Sequence, residues 1–187
     1  VALVVLAGVL YGPALSTRWE YAYYQNQYEA RHAAQALRAL PRFEDLSSPL
    51  QHVLYQDHMS SAGQSGALER QYAFLASRHP GNATALALAG RAESDPAVRQ
   101  RLMEQATRLA PDDEFVRLIQ IEADVNAGRI QAALDAFERI KTIHWFSAGL
   151  IARARWIQGY ADQTRDSFAK ALEDPDCPSA VNIQFAR

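Results

Sequence analysis

Apolar side chains recur along most of this chain at three- and four-residue intervals, the spacing that gathers them on one face of a helix. No stretch alternates apolar and polar residues for long enough to make a strand. Period and breakers together predict helices over residues 17–40, 49–61, 66–78, 83–93, 96–109, 113–127, 130–142, 145–158 and 161–173, an all-α chain. Thr17 with Glu20, and Ser48 with Gln51, have capping-box spacing. Pro41 ends the first helix because it has no amide to donate. Asp95-Pro96 starts another, since Asp accepts free amides and Pro needs no partner there. Residues 42–48 read as a loop.

From residue 49 onward the helices fall into pairs that share one frame. A turn residue is followed nine positions later by a bulky apolar one, as Gly63/Tyr72, Ser94/Met103, Gly128/Phe137 and Gly159/Phe168, in steps of 31, 34 and 31 residues. Twelve positions after the turn residue stand Leu75, Ala106, Ile140 and Ala171; seventeen after it stand Pro80, Pro111, Trp145 and Asp176. A period near 34 marks paired-helix repeats. Such units cannot bury their apolar faces alone, so the frame predicts a stack with an extended surface rather than a catalytic pocket. It also predicts that Tyr72, Met103, Phe137 and Phe168 are buried against the adjacent hairpin.

The run Gly128-Arg-Ile-Gln-Ala-Ala133-Leu-Asp-Ala-Phe137-Glu-Arg-Ile140 resembles the turn and second helix of a tetratricopeptide (TPR) repeat, where Gly, Ala and an aromatic fall at these offsets. Residues 159–171 repeat it with Thr164 at the small-residue position. Earlier units depart from the pattern, with Leu68 and Arg99 at that position, and the Trp/Leu-Gly/Tyr pattern of the family's first helix is missing throughout. The likeness extends over residues 49–178. It implies a right-handed α-solenoid of antiparallel helix pairs whose first helices line a concave face. On that face it places Asp57, Arg91, Glu122, Asn126, Arg153 and Trp156, the candidates for holding a protein or peptide partner. The alternative for these six is a solvated face, with Trp156 partly buried between repeats.

The ends add a membrane to the picture. Residues 1–10 are apolar or glycine, Gly12-Pro13 follow, and Arg18 is the first charge. A full span takes about 20 apolar residues, so residues 1–15 read as the end of a transmembrane segment. Arg18, Trp19, Tyr21, Tyr23, Tyr24 and Tyr28 follow as an interface belt, because such amphipathic aromatics favour the headgroup layer. A signal peptide with Ala14-Leu15-Ser16 at its cleavage site, and a buried core helix, are the other readings. The chain thus divides into residues 1–15, a membrane-proximal helix and loop over 16–48, and repeats over 49–187. Residues 179–187 read as the start of one more helix.

Composition mainly excludes. With 49% apolar and 21% charged residues the chain is globular, and a net charge of -2 without a dense Lys/Arg run argues against nucleic acid. A single cysteine, Cys177, closes no internal disulfide and offers no zinc pair. His32, His52, His58, His79 and His144 lie in different elements, with no two ligands on one helical turn, so no metal or other cofactor is expected. Gly63-Gln64-Ser65-Gly66 is one residue short of a nucleophile elbow and sits where the repeat needs a turn. Asp112, Asp113 and Glu114 open a helix whose dipole they complement. Asn82-Ala83-Thr84 fits a glycosylation acceptor, and Asn82 equally fits a helix cap. No catalytic residue is expected.

Two functional readings follow. One is a membrane-tethered scaffold of the bacterial envelope, anchored in the inner membrane with its repeats in the periplasm and a protein partner on the groove. The other is the non-catalytic C-terminal tail of a polytopic glycan polymerase or ligase. That layout resembles the O-antigen ligase and protein O-oligosaccharyltransferase families, which implies a polyprenyl-linked sugar substrate and an active site upstream.

Overall fold

The computed structural model describes residues 43–142 and 144–173. The expectations for the membrane segment, the aromatic belt, the helix at 17–40, the likeness to glycan enzymes over residues 1–28, Cys177, and the helix start at 179–187 lie outside them. So do the side chains of Phe168 and Ala171. Within the described residues there are eight helices and no strand: α1 Pro49–Ser61, α2 Ser65–Arg78, α3 Ala83–Ala92, α4 Pro96–Leu109, α5 Glu114–Asn126, α6 Ile130–Phe137, α7 Trp145–Ile157 and α8 Ala161–Glu173. None of them is long and apolar enough to cross a membrane.

Each pair packs within itself, and each second helix also packs on the next first helix, α2 on α3, α4 on α5 and α6 on α7. The first helices form a continuous row, α1 on α3 on α5 on α7. The repeat frame supplies part of the core. Tyr72, Met103, Leu75, Ala106 and Ile140 are buried, and Phe137 is partly buried against the same cluster. Full burial of a large apolar side chain contributes roughly 1.5–3 kcal/mol, so these offsets carry much of the stack.

Three of the four turns share one backbone. Gly63, Gly128 and Gly159 have φ of 73°, 76° and 82°, a region open to glycine and strained for other residues. In each, the glycine amide bonds three residues back and the next amide five back: Gln64 to the Met59 carbonyl, Arg129 to Asp124, Tyr160 to Arg155. The second turn has Ser94 instead, and no non-glycine residue among those described takes a positive φ. There α3 ends at Ala92, and the Arg99 guanidinium donates to the free Glu93 carbonyl at 3.0 and 2.6 Å. Arg99 stands where the TPR pattern has a small residue, and this capping role explains the departure.

Helix starts follow their caps in most places. Asn82 accepts from Ala85 N–H, Asp95 from Ala97 and Val98, and Asp113 from Val116. Ser48 does not behave as its spacing suggests: its side chain makes no cap bond, and α1 starts on the fixed φ of Pro49. The largest departure is α6, which stops at Phe137 instead of running to residue 142. The Glu114 carboxylate takes the amides of Lys141 at 2.6 Å and Thr142 at 3.3 Å, drawing the chain out of helix. Those amides hold the Glu114 carboxyl below its ordinary value, the Lys141 bond chiefly. His144 then caps α7 reciprocally with Ser147, its Nδ1 accepting the Ser147 amide while the Ser147 hydroxyl accepts the His144 amide.

Candidate partner-binding face

The six candidate residues stand at three places in the repeat frame. Asp57, Glu122 and Arg153 each precede their turn residue by six positions, Arg91 and Trp156 by three, and Asn126 by two. Because the first helices stack in a row, side chains on neighbouring first helices come within reach of one another. The structure brings three of the six together and leaves the other three apart from them in different ways.

Arg91 on α3 joins α1 to α5. Its Nε and one terminal nitrogen grip the two carboxylate oxygens of Glu122 at 2.7 and 2.8 Å, a bidentate pair. The same terminal nitrogen reaches Asp57 at 2.6 Å, and the other reaches the Gln56 side-chain carbonyl at 2.9 Å. Gln56 is buried and donates its amide to the Leu88 carbonyl at 2.8 Å. Burial works against the Arg91 charge, but the Glu122 bonds and the Asp57 field outweigh it and hold the guanidinium more firmly protonated than usual. The side chains of Arg91 and Glu122 are each 13% exposed, so this is an internal clamp across three repeats rather than a free binding group. Asp57 is its open end, with 55% of its side chain exposed. Desolvation by the surrounding helices draws the Asp57 carboxyl up, Arg91 pulls it back, and remaining solvent limits the rise.

Asn126 is exposed beside this clamp. It lines a cleft of about 240 Å³ with Arg91, Glu122, Arg99 and Met103. Arg153 and Trp156 lie on α7, well along the row. Both are exposed, Trp156 to 65%, and among the described residues Arg153 forms no ion pair or side-chain hydrogen bond. Trp156 is therefore not the partly buried inter-repeat residue of the alternative reading. Its neighbour Arg155 points elsewhere, donating to Ser167 at 2.8 Å. Arg155, Tyr160 and Lys170 line a second cleft of about 540 Å³ with Leu134, Phe137 and Ile151, where α6 stops after eight residues.

Sequence reasoning missed Gln56 and His52. His52 is buried, its Nε2 2.9 Å from the Asp45 carbonyl and its Nδ1 2.9 Å from the Tyr72 hydroxyl. A carbonyl only accepts, so Nε2 carries the proton and Nδ1 accepts from Tyr72. Burial lowers the His52 pKa, which keeps the ring neutral, and burial likewise raises the Tyr72 hydroxyl. Phe43 closes the cluster edge-on, 5.1 Å from Tyr72 and 5.9 Å from His52. The available signal for both residues was positional: His52 and Gln56 are four apart, on the helix face shared with buried Val53 and Tyr55.

No protein-family model matches the chain, and no curated protein matches it. Among solved structures it is similar to the crystal structure of a thermophilic TPR protein in Thermus thermophilus, with a TM-score of 0.55 and 16% sequence identity, over 89% of this chain and 92% of that one. At that identity the likeness concerns architecture alone. The fold of this chain is thus a TPR-like array of helix pairs.

Proposed function

We propose that this chain is a membrane-tethered TPR-like scaffold of the bacterial envelope that holds a protein partner along its row of first helices. The carrying observation is the exposed Arg153 and Trp156, three residues apart on α7 and without a side-chain partner for Arg153 among the described residues. A cation beside an exposed aromatic is the composition that carries energy at protein interfaces. Asp57 and Asn126 extend the same row toward its other end, so the face offers opposite charges at its two ends. Arg91 and Glu122 serve this face by fixing its geometry. The tether rests on the apolar residues 1–10 and the aromatics between residues 19 and 28.

Capture of a specific protein from envelope extracts by the full chain tests this reading. Arg153→Ala and Trp156→Ala are expected to lose that protein with helicity unchanged. A capture profile indifferent to both substitutions rejects the assignment.

A further inference from the structure

The four first helices carry eight Asp, Glu and Arg side chains, and the structure consumes six of them internally. Arg91 and Glu122 hold each other in the clamp. Glu114 takes the Lys141 and Thr142 amides, Arg117 donates to the Arg139 and Pro111 carbonyls, Asp124 pairs with Arg129, and Arg155 donates to Ser167. Two are left facing solvent. Asp57 is the open end of a group of two carboxylates around one guanidinium, which leaves one negative charge uncompensated. Arg153 is exposed and has no ion pair among the described residues. Both stand six residues before their turn glycine, at opposite ends of the row of first helices.

We infer that the protein partner lays an extended segment of fixed charge order across this row, with a basic side chain at Asp57 and an acidic one at Arg153. The inference rests on the proposed partner-binding row and says which segment fits it. Packed helices lie roughly 8–10 Å apart, so three steps from α1 to α7 separate the two charges by roughly 24–30 Å. An extended chain covers that distance in about seven to nine residues at ~3.3 Å each. A helix would need about 16–20 residues and an apolar trough for its stripe. The row has no such trough: among the described residues, the large apolar side chains exposed on first helices are Trp156 and Ile157, both at the α7 end. Trp156, three residues from Arg153, gives the segment one anchor, for a large apolar side chain next to its acidic residue. The reverse charge order sets like charges against each other at both ends, which is what makes the row selective.

The test selects displayed random segments of about 24 residues, long enough for either geometry, on the full chain. Enriched segments are expected to carry Lys or Arg and Asp or Glu about seven to nine residues apart, in one constant order, with a large apolar residue near the acid. Arg153→Glu, at an exposed position, should weaken them by roughly tenfold or more, and selection on that variant should return segments that are basic at both ends. Asp57→Asn should relax the demand for the basic residue alone. Segments that depend on Arg153 and Trp156 yet lack the spaced charges, or space them about 16–20 residues apart, overturn the inference and leave the groove reading standing. Segments indifferent to Arg153→Ala and Trp156→Ala, or no enriched segment at all, also overturn it, and the groove reading is then decided separately by capture of the envelope protein.

Discussion

The first three helix pairs and the fourth are built on one frame yet end in opposite conditions. Between α1 and α5 the row of first helices is locked: Arg91 spends its donors on Glu122, Asp57 and Gln56, and Gly90 lets α3 approach Met103 of α4. On α7 the row is open, with Arg153 and Trp156 in solvent. The difference teaches that charge at a repeat position does not by itself mark a binding group. The same residue type is a structural clamp where carboxylates from neighbouring helices reach it, as Glu122 and Asp57 reach Arg91, and is exposed without an ion pair among the described residues at Arg153, where Glu122 one repeat away is already taken by Arg91.

Removing the clamp should produce the largest contrast. Arg91→Ala leaves Glu122 and the buried Gln56 carbonyl without their donor, a loss of about 2–4 kcal/mol in urea unfolding, since breaking a buried pair costs more than the pair contributes. Most of that comes from the buried arms, as the half-exposed Asp57 arm is screened. Arg153→Ala should stay within about 0.5 kcal/mol, as exposed positions generally do. Equal losses at the two sites would erase the distinction between lock and open end.

Glycine in two first helices sharpens it further. A Cβ at Gly90 would stand 3.0 Å from the Met103 sulfur, whereas at Gly149 nothing lies within 4 Å. Gly90→Val is expected to destabilise by about 1–3 kcal/mol through overpacking. Gly149→Ala should stabilise by about 0.5–1 kcal/mol, because alanine loses less chain entropy in a helix. Thermal unfolding of both variants checks the sign as well as the size.

A smaller, pH-dependent effect belongs to the locked region. Burial depresses the His52 pKa below its unfolded value near 6.5. The unfolded chain therefore binds a proton more readily, and the contribution of His52 is complete above that value and declines as pH falls toward the folded pKa. The urea midpoint should drop between about pH 7 and pH 5, and His52→Gln should flatten that slope even if it lowers the midpoint throughout. An unchanged slope in the variant would assign the acid sensitivity to other groups.

Much of the fold was legible because it is local. The glycines at 63, 128 and 159 and the apolar residues nine and twelve positions beyond them obey turn and helix geometry that neighbours in sequence dictate, and seven of the eight helices lie within a residue or two of their expected bounds. The end of α6 was not legible, because the group that draws the chain out of helix, Glu114, is 27 residues from Lys141. Site residues show the same division. The family resemblance placed all six on first helices, where they lie, but it treated Arg91 and Arg153 alike.

Sequence alone determined that this chain forms helix pairs on a period near 34 and that Tyr72, Leu75, Met103 and Ala106 enter the core, since periodic burial is a property of each short segment. Only the tertiary structure decided that Arg91 is tied down while Arg153 is exposed with no ion pair among the described residues, and that Trp156, Ile157 and Tyr160 share an open turn. Those outcomes depend on which side chains from other repeats come within about 3 Å, the reach of a hydrogen bond, and no local pattern records that distance.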